Sequence, residues 1–463
     1  MKVYDLIVVG SGAGSKVSVP AIHLGKKVAI VEKAELGGVC LNRGCIPSKM
    51  LIYPAEQIEA ARNLEKFGAK AKIGKVYFKE IIERINATVS EESEAIRKRY
   101  VAAKNFDFYP YEARFISDKV LQVGNTQITA RKIVLATGAR PRIPDIEGLE
   151  GTPFMTSTQA LKNKVLPKKL IVIGGGYIAC ELGAAYAMLG SEVEFIVRTD
   201  LISHEDKDIR EEFTKVFTKR HTVHLDSTPL KVEYKRKQFT LTYEHKGKRF
   251  KTKGDALLVA VGVVPNTDDL GLDKTRIRTN KRGFIEVDDY LETSVKGVYA
   301  LGDVIGKFMF RHAANFQGEY LFENLYKRII PRKIKYPPMP HAMFTQPEFA
   351  GVGVTEDELI KLNKVRGKDY VVGLNPYQKS AMGMARLSDH GFCKLIFDRK
   401  KRLIGAHIIG DEAATMIHQL IYAMTKKAKL DDLLEMIYIH PALPEIVRNA
   451  ARNAREAFMS MKQ

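Results

Sequence analysis

The 463-residue chain carries a net charge of +20 and is 45% hydrophobic. This balance is typical of a globular protein with sizeable cores, and no apolar run approaches the roughly 20 residues that span a membrane. The basic stretches at 162–169, 246–253 and 328–335 are scattered and match no nucleic-acid-binding module, so we interpret the charge as a lysine-rich, solvated surface. We therefore expect neither a nucleic-acid partner nor a membrane.

The chain enters a predicted strand, Val3–Val9, almost at once, which leaves no room for a signal peptide. Only four cysteines are present. Few cysteines and no export signal are typical of the reducing cytosol, so we expect a cytoplasmic protein. In that compartment, two neighbouring cysteines are more often catalytic, redox-sensing or metal-binding than structural.

The first strand leads into a glycine-rich turn, Gly10-Ser-Gly12-Ala-Gly14-Ser15, followed by a predicted helix and a strand that ends at Glu32. This is a dinucleotide-binding pattern, because the helix N-terminus binds a diphosphate and the acid accepts hydrogen bonds from a ribose. Ser15 occupies the sixth position, where the pattern has glycine, and serine is small enough to be tolerated there.

Two cysteines follow in the segment Gly37-Gly-Val-Cys-Leu-Asn-Arg-Gly-Cys-Ile-Pro-Ser-Lys49. In a regular helix Cys40 and Cys45 would be about 7.5 Å apart along the axis, whereas a disulfide needs Cα atoms closer than about 7 Å. The pair can bond only where the backbone bends, and Gly44 permits a bend. Strained disulfides are easily reduced, so the pair indicates redox chemistry. Lys49, on the helix face of Cys45, would stabilise a thiolate, and no matching histidine or cysteine spacing predicts a metal site.

The same plan recurs further along the chain. A strand, Leu170–Ile173, leads into the turn Gly174-Gly-Gly176-Tyr-Ile-Ala179, a helix, and a strand that ends at Arg198. Each of the two repeats ends in a similar sequence motif, Ile133-Val-Leu-Ala-Thr-Gly138 and Leu257-Leu-Val-Ala-Val-Gly262. The repetition predicts two nucleotide-binding domains.

The residue after the second repeat's last strand indicates which nucleotide binds there. An acid at this point binds the free 2′-hydroxyl of NAD, whereas an arginine accommodates the 2′-phosphate of NADP. Arg198 therefore favours NADP, with His204 as a second contact. The alternative is that Arg198 is a surface residue at a strand end.

With these motifs in order, the chain resembles the FAD-dependent pyridine nucleotide–disulfide oxidoreductases, the family of dihydrolipoamide dehydrogenase and of glutathione, mycothione and mercuric reductases. The segment Gly37–Lys49 resembles the family's active-site helix. Thr293–Asp303 resembles its second flavin motif, and His440-Pro-Ala-Leu-Pro-Glu445 resembles its C-terminal His–Glu pair.

The resemblance implies an α/β fold with two Rossmann-like domains, for FAD and NAD(P), and a C-terminal α+β dimerisation domain. Proline- and glycine-rich joints mark the boundaries. We predict the FAD-binding domain over 1–147 and 267–338, the NAD(P)-binding domain over 148–266, and the dimerisation domain over 339–463.

The resemblance also implies the catalytic roles. Cys45 faces the flavin and forms the charge-transfer thiolate, and Cys40 attacks the substrate disulfide. Lys49 lies beside the flavin and pairs with Glu181 of the second repeat. His440, from the partner subunit of a homodimer, is oriented by Glu445 and acts as acid–base for Cys40.

The nucleotide sites follow from the same resemblance. Asp303 binds the ribityl chain of FAD, the helix that starts near His312 points its N-terminus at the flavin, and Tyr177 covers the nicotinamide site when no nucleotide is bound. The predicted FAD contacts are Gly10, Gly12, Gly14, Ser15, Glu32, Lys33, Gly38, Lys49, Thr137, Gly138, Gly302, Asp303 and His312. The predicted NAD(P) contacts are Gly174, Gly176, Tyr177, Ile178, Ala179, Glu181, Arg198, His204 and Gly262.

The substrate class is narrowed by the absence of a second cysteine pair near the C-terminus, because the last cysteine is Cys393. Mercuric reductases and large thioredoxin reductases, which need such a pair, are disfavoured. We predict a dihydrolipoamide dehydrogenase-like enzyme acting on a small disulfide or lipoyl group. The alternatives are an NADPH-dependent low-molecular-weight disulfide reductase, like mycothione or glutathione reductase, and a redox-switch flavoprotein without turnover.

Overall fold

The computed structural model describes residues 1–460, so residues 461–463 of the predicted C-terminal domain lie outside the described residues. The N-terminal unit contains, in chain order, β1 (Lys2–Val9), α1 (Ser15–His23), β2 (Val28–Val31), α2 (Gly38–Asn42), α3 (Cys45–Arg62), α4 (Phe78–Val101), β3 (Phe106–Tyr109), β4 (Ala113–Ser117), β5 (Val120–Val123), β6 (Thr126–Leu135) and β7 (Ala139–Pro141). Its parallel strands run in the order β3-β2-β1-β6, and β5 and β4 extend the sheet in antiparallel fashion.

The second unit repeats this plan. It contains α5 (Ser157–Ala160), β8 (Lys169–Ile173), α6 (Tyr177–Leu189), β9 (Glu192–Ile196), α7 (Lys207–Arg220), β10 (Thr222–His224), β11 (Ser227–Lys235), β12 (Gln238–His245), β13 (Lys248–Gly254), β14 (Ala256–Val259) and β15 (Val263–Pro265). Its parallel sheet has the order β10-β9-β8-β14, and β11, β12 and β13 form a separate antiparallel sheet that the sequence analysis did not predict. The C-terminal half of β1, Leu6–Val9, and the β8 segment Leu170–Ile173 are buried, uninterrupted apolar runs, as expected for parallel strands covered on both faces.

The two repeats place their glycine turns at equivalent points. Gly10 N donates to Val31 O at 2.9 Å, and Gly174 N donates to Ile196 O at 3.1 Å, so each turn begins at the end of its central strand. Parallel sheets bind ligands at the carboxyl ends of their strands. Both turns therefore lie where a dinucleotide is expected.

The chain then returns to the first sheet. Strand β16 (Val298–Ala300) pairs in parallel with the C-terminal half of β6, and α8 (Arg311–Tyr326) packs against α1. This return brings the second flavin-like motif next to the first glycine turn. The exact domain limits given above stay a prediction.

The C-terminal unit contains β17 (Pro340–Met343), β18 (Phe349–Gly353), α9 (Glu356–Lys361), β19 (Tyr370–Pro376), α10 (Ala381–Ala385), β20 (Phe392–Asp398), β21 (Leu403–Ile409), α11 (Ala413–Thr425), α12 (Leu430–Glu435) and α13 (Glu445–Ser460). Its five strands form one antiparallel sheet in the order β17-β18-β21-β20-β19. The buried faces of α11 and α13 cover that sheet. The predicted α/β fold class, with a C-terminal α+β unit, is confirmed.

No helix among residues 1–460 is both long enough and apolar enough to cross a lipid bilayer.

Candidate active site

The backbone bends between the two cysteines, as their spacing requires. Helix α2 ends at Asn42 and α3 begins at Cys45, and both thiols are free. A Cβ atom on Gly44 would lie 3.0 Å from Val39 O and 3.4 Å from Cys40 Cα. Glycine at this position therefore lets the two helices meet tightly enough to bring the cysteines together.

The environment of the pair favours a thiolate on Cys40. Its pKa is lowered to about 7, first by a hydrogen bond from the Cys45 thiol and then by the charge of Arg311, although burial opposes both. The same hydrogen bond, together with burial, raises the pKa of Cys45. At neutral pH, Cys40 is therefore the better nucleophile of the two thiols. The flavin-facing role of Cys45 stays a prediction.

The first glycine turn lies directly against the cysteine segment. A Cβ atom on Gly38, where φ is +70°, would lie 2.6 Å from Gly12 Cα. On the other side of the turn, a Cβ atom on Gly10 would lie 2.2 Å from Ala136 O. The unusual Ser15 is accommodated because its hydroxyl donates to Gly12 O at 2.7 Å. Glycine is needed here for close backbone approach.

Ser11 was not singled out in the sequence analysis, yet it connects three parts of this site. Its Oγ donates to Glu32 Oε2 at 2.9 Å and accepts from Gly37 N at 3.1 Å. Glu32 is thereby held at the end of β2, where the pattern places a ribose-binding acid. Lys33, in contrast, forms an exposed ion pair with Glu112.

The second flavin-like motif closes the other side of the site. Gly302 N donates to Gln317 Oε1 at 2.7 Å, which ties the turn Gly302–Ile305 to α8. Burial raises the pKa of Asp303, and the charge of Arg311 opposes this rise. The neighbouring His312 donates from Nε2 to Pro340 O at 2.8 Å.

Arg311 is the main residue that the sequence analysis missed. It begins α8, and its guanidinium lies 3.5 Å from where a Cβ atom on Gly12 would be. Its charge acts on both Cys40 and Asp303. The only signal in the sequence was its position beside His312.

This site fits a dinucleotide such as FAD, because it combines two glycine-lined backbone approaches with two carboxylates, Glu32 and Asp303.

The second glycine turn is also open to a ligand. A Cβ atom on Gly174 would lie 2.2 Å from Ala260 O, whereas one on Gly176 or Gly262 would meet nothing within 4 Å. Thr137 and Gly138 lie at the junction of the two units, where Thr137 Oγ1 donates to Asn266 O at 3.0 Å.

The other predicted nucleotide contacts lie around this turn. Ala179 is buried, and Ile178 is exposed on the first turn of α6. Arg198 and His204 are exposed beyond the end of β9, where a phosphate can reach them.

Lys49 and Glu181 join the cysteine helix to the second repeat. Lys49 Nζ lies 2.6 Å from Glu181 Oε2, and it also lies 4.3 Å from the centre of the Phe344 ring. The other carboxylate oxygen of Glu181 accepts from Phe344 N at 3.0 Å. The structure thus brings together the two residues that the resemblance pairs.

His440 and Glu445 also form the expected pair. His440 Nδ1 lies 3.1 Å from both carboxylate oxygens of Glu445, and Arg448 Nη2 donates to Glu445 Oε1 at 2.8 Å. Although burial opposes the change, the hydrogen bonds from His440 and Ala442 N, together with the charge of Arg448, lower the pKa of Glu445. The side chain of His440 is 70% exposed. Within residues 1–460, its hydrogen bonds go to Glu445 and none goes to either active-site cysteine.

The geometry agrees with comparisons to known proteins. The family model described as pyridine nucleotide-disulphide oxidoreductase matches residues 4–318, and the dimerisation-domain model of the same family matches residues 339–451. The chain belongs to the pyridine nucleotide-disulphide oxidoreductase family.

Similar proteins cover nearly the whole chain. The dihydrolipoyl dehydrogenase of Bacillus subtilis (strain 168) is 35% identical, over 97% of this chain and 96% of that protein. The mycothione reductase of Mycobacterium tuberculosis (strain ATCC 25618 / H37Rv) is 31% identical, over 98% of this chain and 100% of that protein. A solved structure of the HOCl-induced flavoprotein disulfide reductase RclA from Escherichia coli matches with a TM-score of 0.85 and 27% identity, covering 98% of this chain and 99% of that one.

Family membership establishes the coarse chemistry. This is a flavoprotein oxidoreductase family of disulfide redox chemistry that uses FAD and a pyridine nucleotide, and the chain carries its dimerisation domain. The fold class of two Rossmann-like domains and a dimerisation domain is confirmed. The named relatives have different activities, so family membership alone does not identify the substrate or the preferred nucleotide.

Proposed function

We propose that this protein is an NAD(P)-linked disulfide oxidoreductase with dihydrolipoamide dehydrogenase-like activity, in which Cys40 and Cys45 exchange electrons with a small disulfide or lipoyl group. One observation carries this proposal. The cysteine pair lies against the first glycine turn through Gly38 and is linked to the second repeat through Lys49 and Glu181. A redox pair held between two nucleotide sites can pass electrons between a nucleotide and a third substrate.

When bound, FAD supplies a carrier that accepts a hydride from the nucleotide and delivers an electron pair to the Cys40–Cys45 disulfide. Gly10, Gly12 and Gly14 would admit its diphosphate, Glu32 would hold a ribose, and Asp303 the ribityl chain. Every later step involves thiols of this chain.

The order of the thiol steps follows from the two pKa values, because Cys40 has the lower pKa and is the first thiol to react. The Cys40 thiolate attacks one sulfur of the substrate disulfide, which forms a mixed disulfide and releases the other sulfur as a thiolate. His440 of the partner subunit protonates that leaving group, with Glu445 orienting its imidazole. Cys45, once deprotonated, attacks Cys40, releases the second thiolate for protonation and restores the intramolecular disulfide. The reverse sequence oxidises a dithiol.

We infer a homodimer with shared sites from the position of His440. Its exposed side chain is held by a buried carboxylate and makes no hydrogen bond with either active-site cysteine within residues 1–460. A second copy would place this imidazole over the cysteine pair. The dimerisation domain supports that arrangement.

An NADPH-dependent low-molecular-weight disulfide reductase is the second candidate. Arg198 and His204 are both exposed at the end of the second repeat, which suits a 2′-phosphate. Ala179, at the sixth position of the second glycine turn, resembles the NADPH-using reductases of this family. The similarity to a mycothione reductase also favours this candidate.

The test compares kcat/KM for lipoamide, glutathione disulfide, coenzyme A disulfide and mycothione, each with NADH/NAD and NADPH/NADP. We expect the highest value with lipoamide and the corresponding dithiol. A higher value for one of the other disulfides would replace the first candidate with the second. FAD binding without sustained turnover of any disulfide would contradict both and indicate a redox switch.

A further inference from the structure

The hydroxyl of Tyr177 is the first member of a chain of polar contacts that ends in the C-terminal unit. Tyr177 Oη donates to Glu205 Oε1, and His341 Nε2 lies 2.7 Å from Glu205 Oε2. Tyr177 begins α6, Glu205 precedes α7, and His341 is in β17. A single carboxylate therefore connects the second glycine turn to a different unit of the fold.

Glu205 is only 7% exposed, so each of its oxygens needs a partner. Although burial opposes the change, the hydrogen bonds from His341 and Tyr177 lower its pKa and keep it a carboxylate. Burial and the negative charge of Glu205 raise the pKa of Tyr177, so the phenol remains a donor. The contact is a charge-assisted hydrogen bond, which is stronger than a neutral one.

The backbone around Glu205 is fixed against the glycine turn. Glu205 N donates to Ile202 O at 3.0 Å, and Ile202 N donates to Gly175 O at 2.8 Å. The same loop carries Arg198 and His204, the predicted contacts of the nucleotide phosphate. Glu205 therefore cannot follow the Tyr177 ring far without rearranging this loop.

His341 is fixed as well, from the side of α8. Its ring stacks on Phe310 with centroids 6.5 Å apart, and Phe310 stacks on His312 at 5.3 Å. His312 lies on the first turn of α8, the helix predicted to face the flavin. The Tyr177 ring itself meets Phe349 edge to face at 5.5 Å.

We propose that Glu205 and His341 form a latch that holds the Tyr177 ring over the nicotinamide subsite. The inference rests on the proposed function, in which the turn Gly174–Ala179 binds the nucleotide. An entering nicotinamide displaces the ring and breaks the Tyr177–Glu205 hydrogen bond. The observed affinity then equals the intrinsic affinity multiplied by the fraction of molecules in which the ring has left the nicotinamide subsite. Glu205 and His341 are positioning residues.

The test measures the dissociation constants of the oxidised nucleotides NADP and NAD, which cannot reduce the flavin, on the FAD-loaded dimer by calorimetry, beside the limiting rate of turnover with NADPH and NADH. Y177F keeps the ring and removes the latch, so both nucleotides should bind about three- to tenfold tighter. E205Q, which weakens the same hydrogen bond, should also tighten binding. Because both changes act through one hydroxyl, Y177F/E205Q should bind no tighter than Y177F.

Two further variants separate the latch from general effects on folding. H341F keeps the stacking on Phe310 but removes the contact that fixes Glu205, and we expect binding about two- to threefold tighter than in the wild type. Y186F removes another buried hydroxyl of α6, which donates to Ala160 O at 2.7 Å, and it should leave both dissociation constants unchanged.

The outcomes distinguish the latch from the proposed function. A wild-type protein that binds FAD but is not reduced by either nucleotide contradicts the proposed function itself. A wild-type protein that is reduced normally, with Y177F and E205Q binding nucleotide equally or more weakly than wild type, overturns the latch alone. Additive effects in Y177F/E205Q would overturn it too.

Discussion

Lys49 Nζ lies 2.6 Å from Glu181 Oε2, and this ion pair joins the helix that begins at Cys45 to the helix that begins at Tyr177. Lys49 is 36% exposed and Glu181 only 11%. The pair is therefore partly shielded from water, unlike the many lysine–carboxylate pairs on this basic surface. It links the helix of the cysteine pair to the helix that follows the second glycine turn.

Replacement of Lys49 should impair turnover more than it impairs folding. In K49M the nearly buried carboxylate of Glu181 loses its cation, and we expect kcat to fall about tenfold or more while FAD is retained. K164M is the matched control, because Lys164 pairs with Glu83 at 3.1 Å on the exposed surface. Steady-state kinetics and flavin absorbance check both variants. A K49M enzyme with kcat close to wild type would show that the ion pair is only structural.

Arg311 should set the reactivity of Cys40. The pKa of Cys40 is lowered to about 7, so in the reduced protein its alkylation by iodoacetamide should accelerate as the pH rises through about 7. R311M removes a positive charge that favours the thiolate, and the midpoint should move to higher pH. R276M, which removes an exposed arginine paired with Asp118, should not move it. An unchanged midpoint in R311M would contradict this electrostatic role.

Arg198 should discriminate between the two nucleotides. A 2′-phosphate bound by a guanidinium gains charge-assisted hydrogen bonds, so R198A should lower kcat/KM for NADPH about tenfold or more and that for NADH much less. H204A should show the same preference with a smaller loss. Equal losses with the two nucleotides, or a wild-type preference for NADH, would contradict NADP binding.

A shared active site predicts complementation between inactive subunits. C40S and H440Q should each be inactive as homodimers, whereas heterodimers of the two contain one site with both Cys40 and His440 intact. Random co-assembly should therefore restore about one quarter of the wild-type activity. Co-expression with two affinity tags isolates the heterodimer. No recovery in that fraction would place His440 and Cys40 in the same subunit.

Both glycine turns were accessible to sequence reasoning because local rules determine them. An apolar strand, a turn with left-handed glycines and a helix can each be recognised from the local sequence, without knowledge of the rest of the chain. The predicted strand Leu170–Ile173 differs from β8 (Lys169–Ile173) by one residue. The bend at Gly44 followed likewise from the spacing of the two cysteines.

Sequence reasoning missed the residues that reach the site from distant positions in the sequence. Arg311 reaches Gly12 and Cys40 only because β16 joins the first sheet, almost 300 positions after the turn that it contacts. Glu205 and His341 are 136 positions apart. No local pattern marks such pairs, because an isolated arginine, glutamate or histidine is equally common on a solvated surface.

The stoichiometry of thiol production tests the central claim most directly. With NADPH or NADH and excess lipoamide under anaerobic conditions, the wild-type protein should form two thiols for each nucleotide oxidised. C40S should form none, although it retains FAD and Cys45. Nucleotide oxidation without thiol formation in the wild type, or an unchanged thiol yield in C40S, would contradict electron transfer through the Cys40–Cys45 pair.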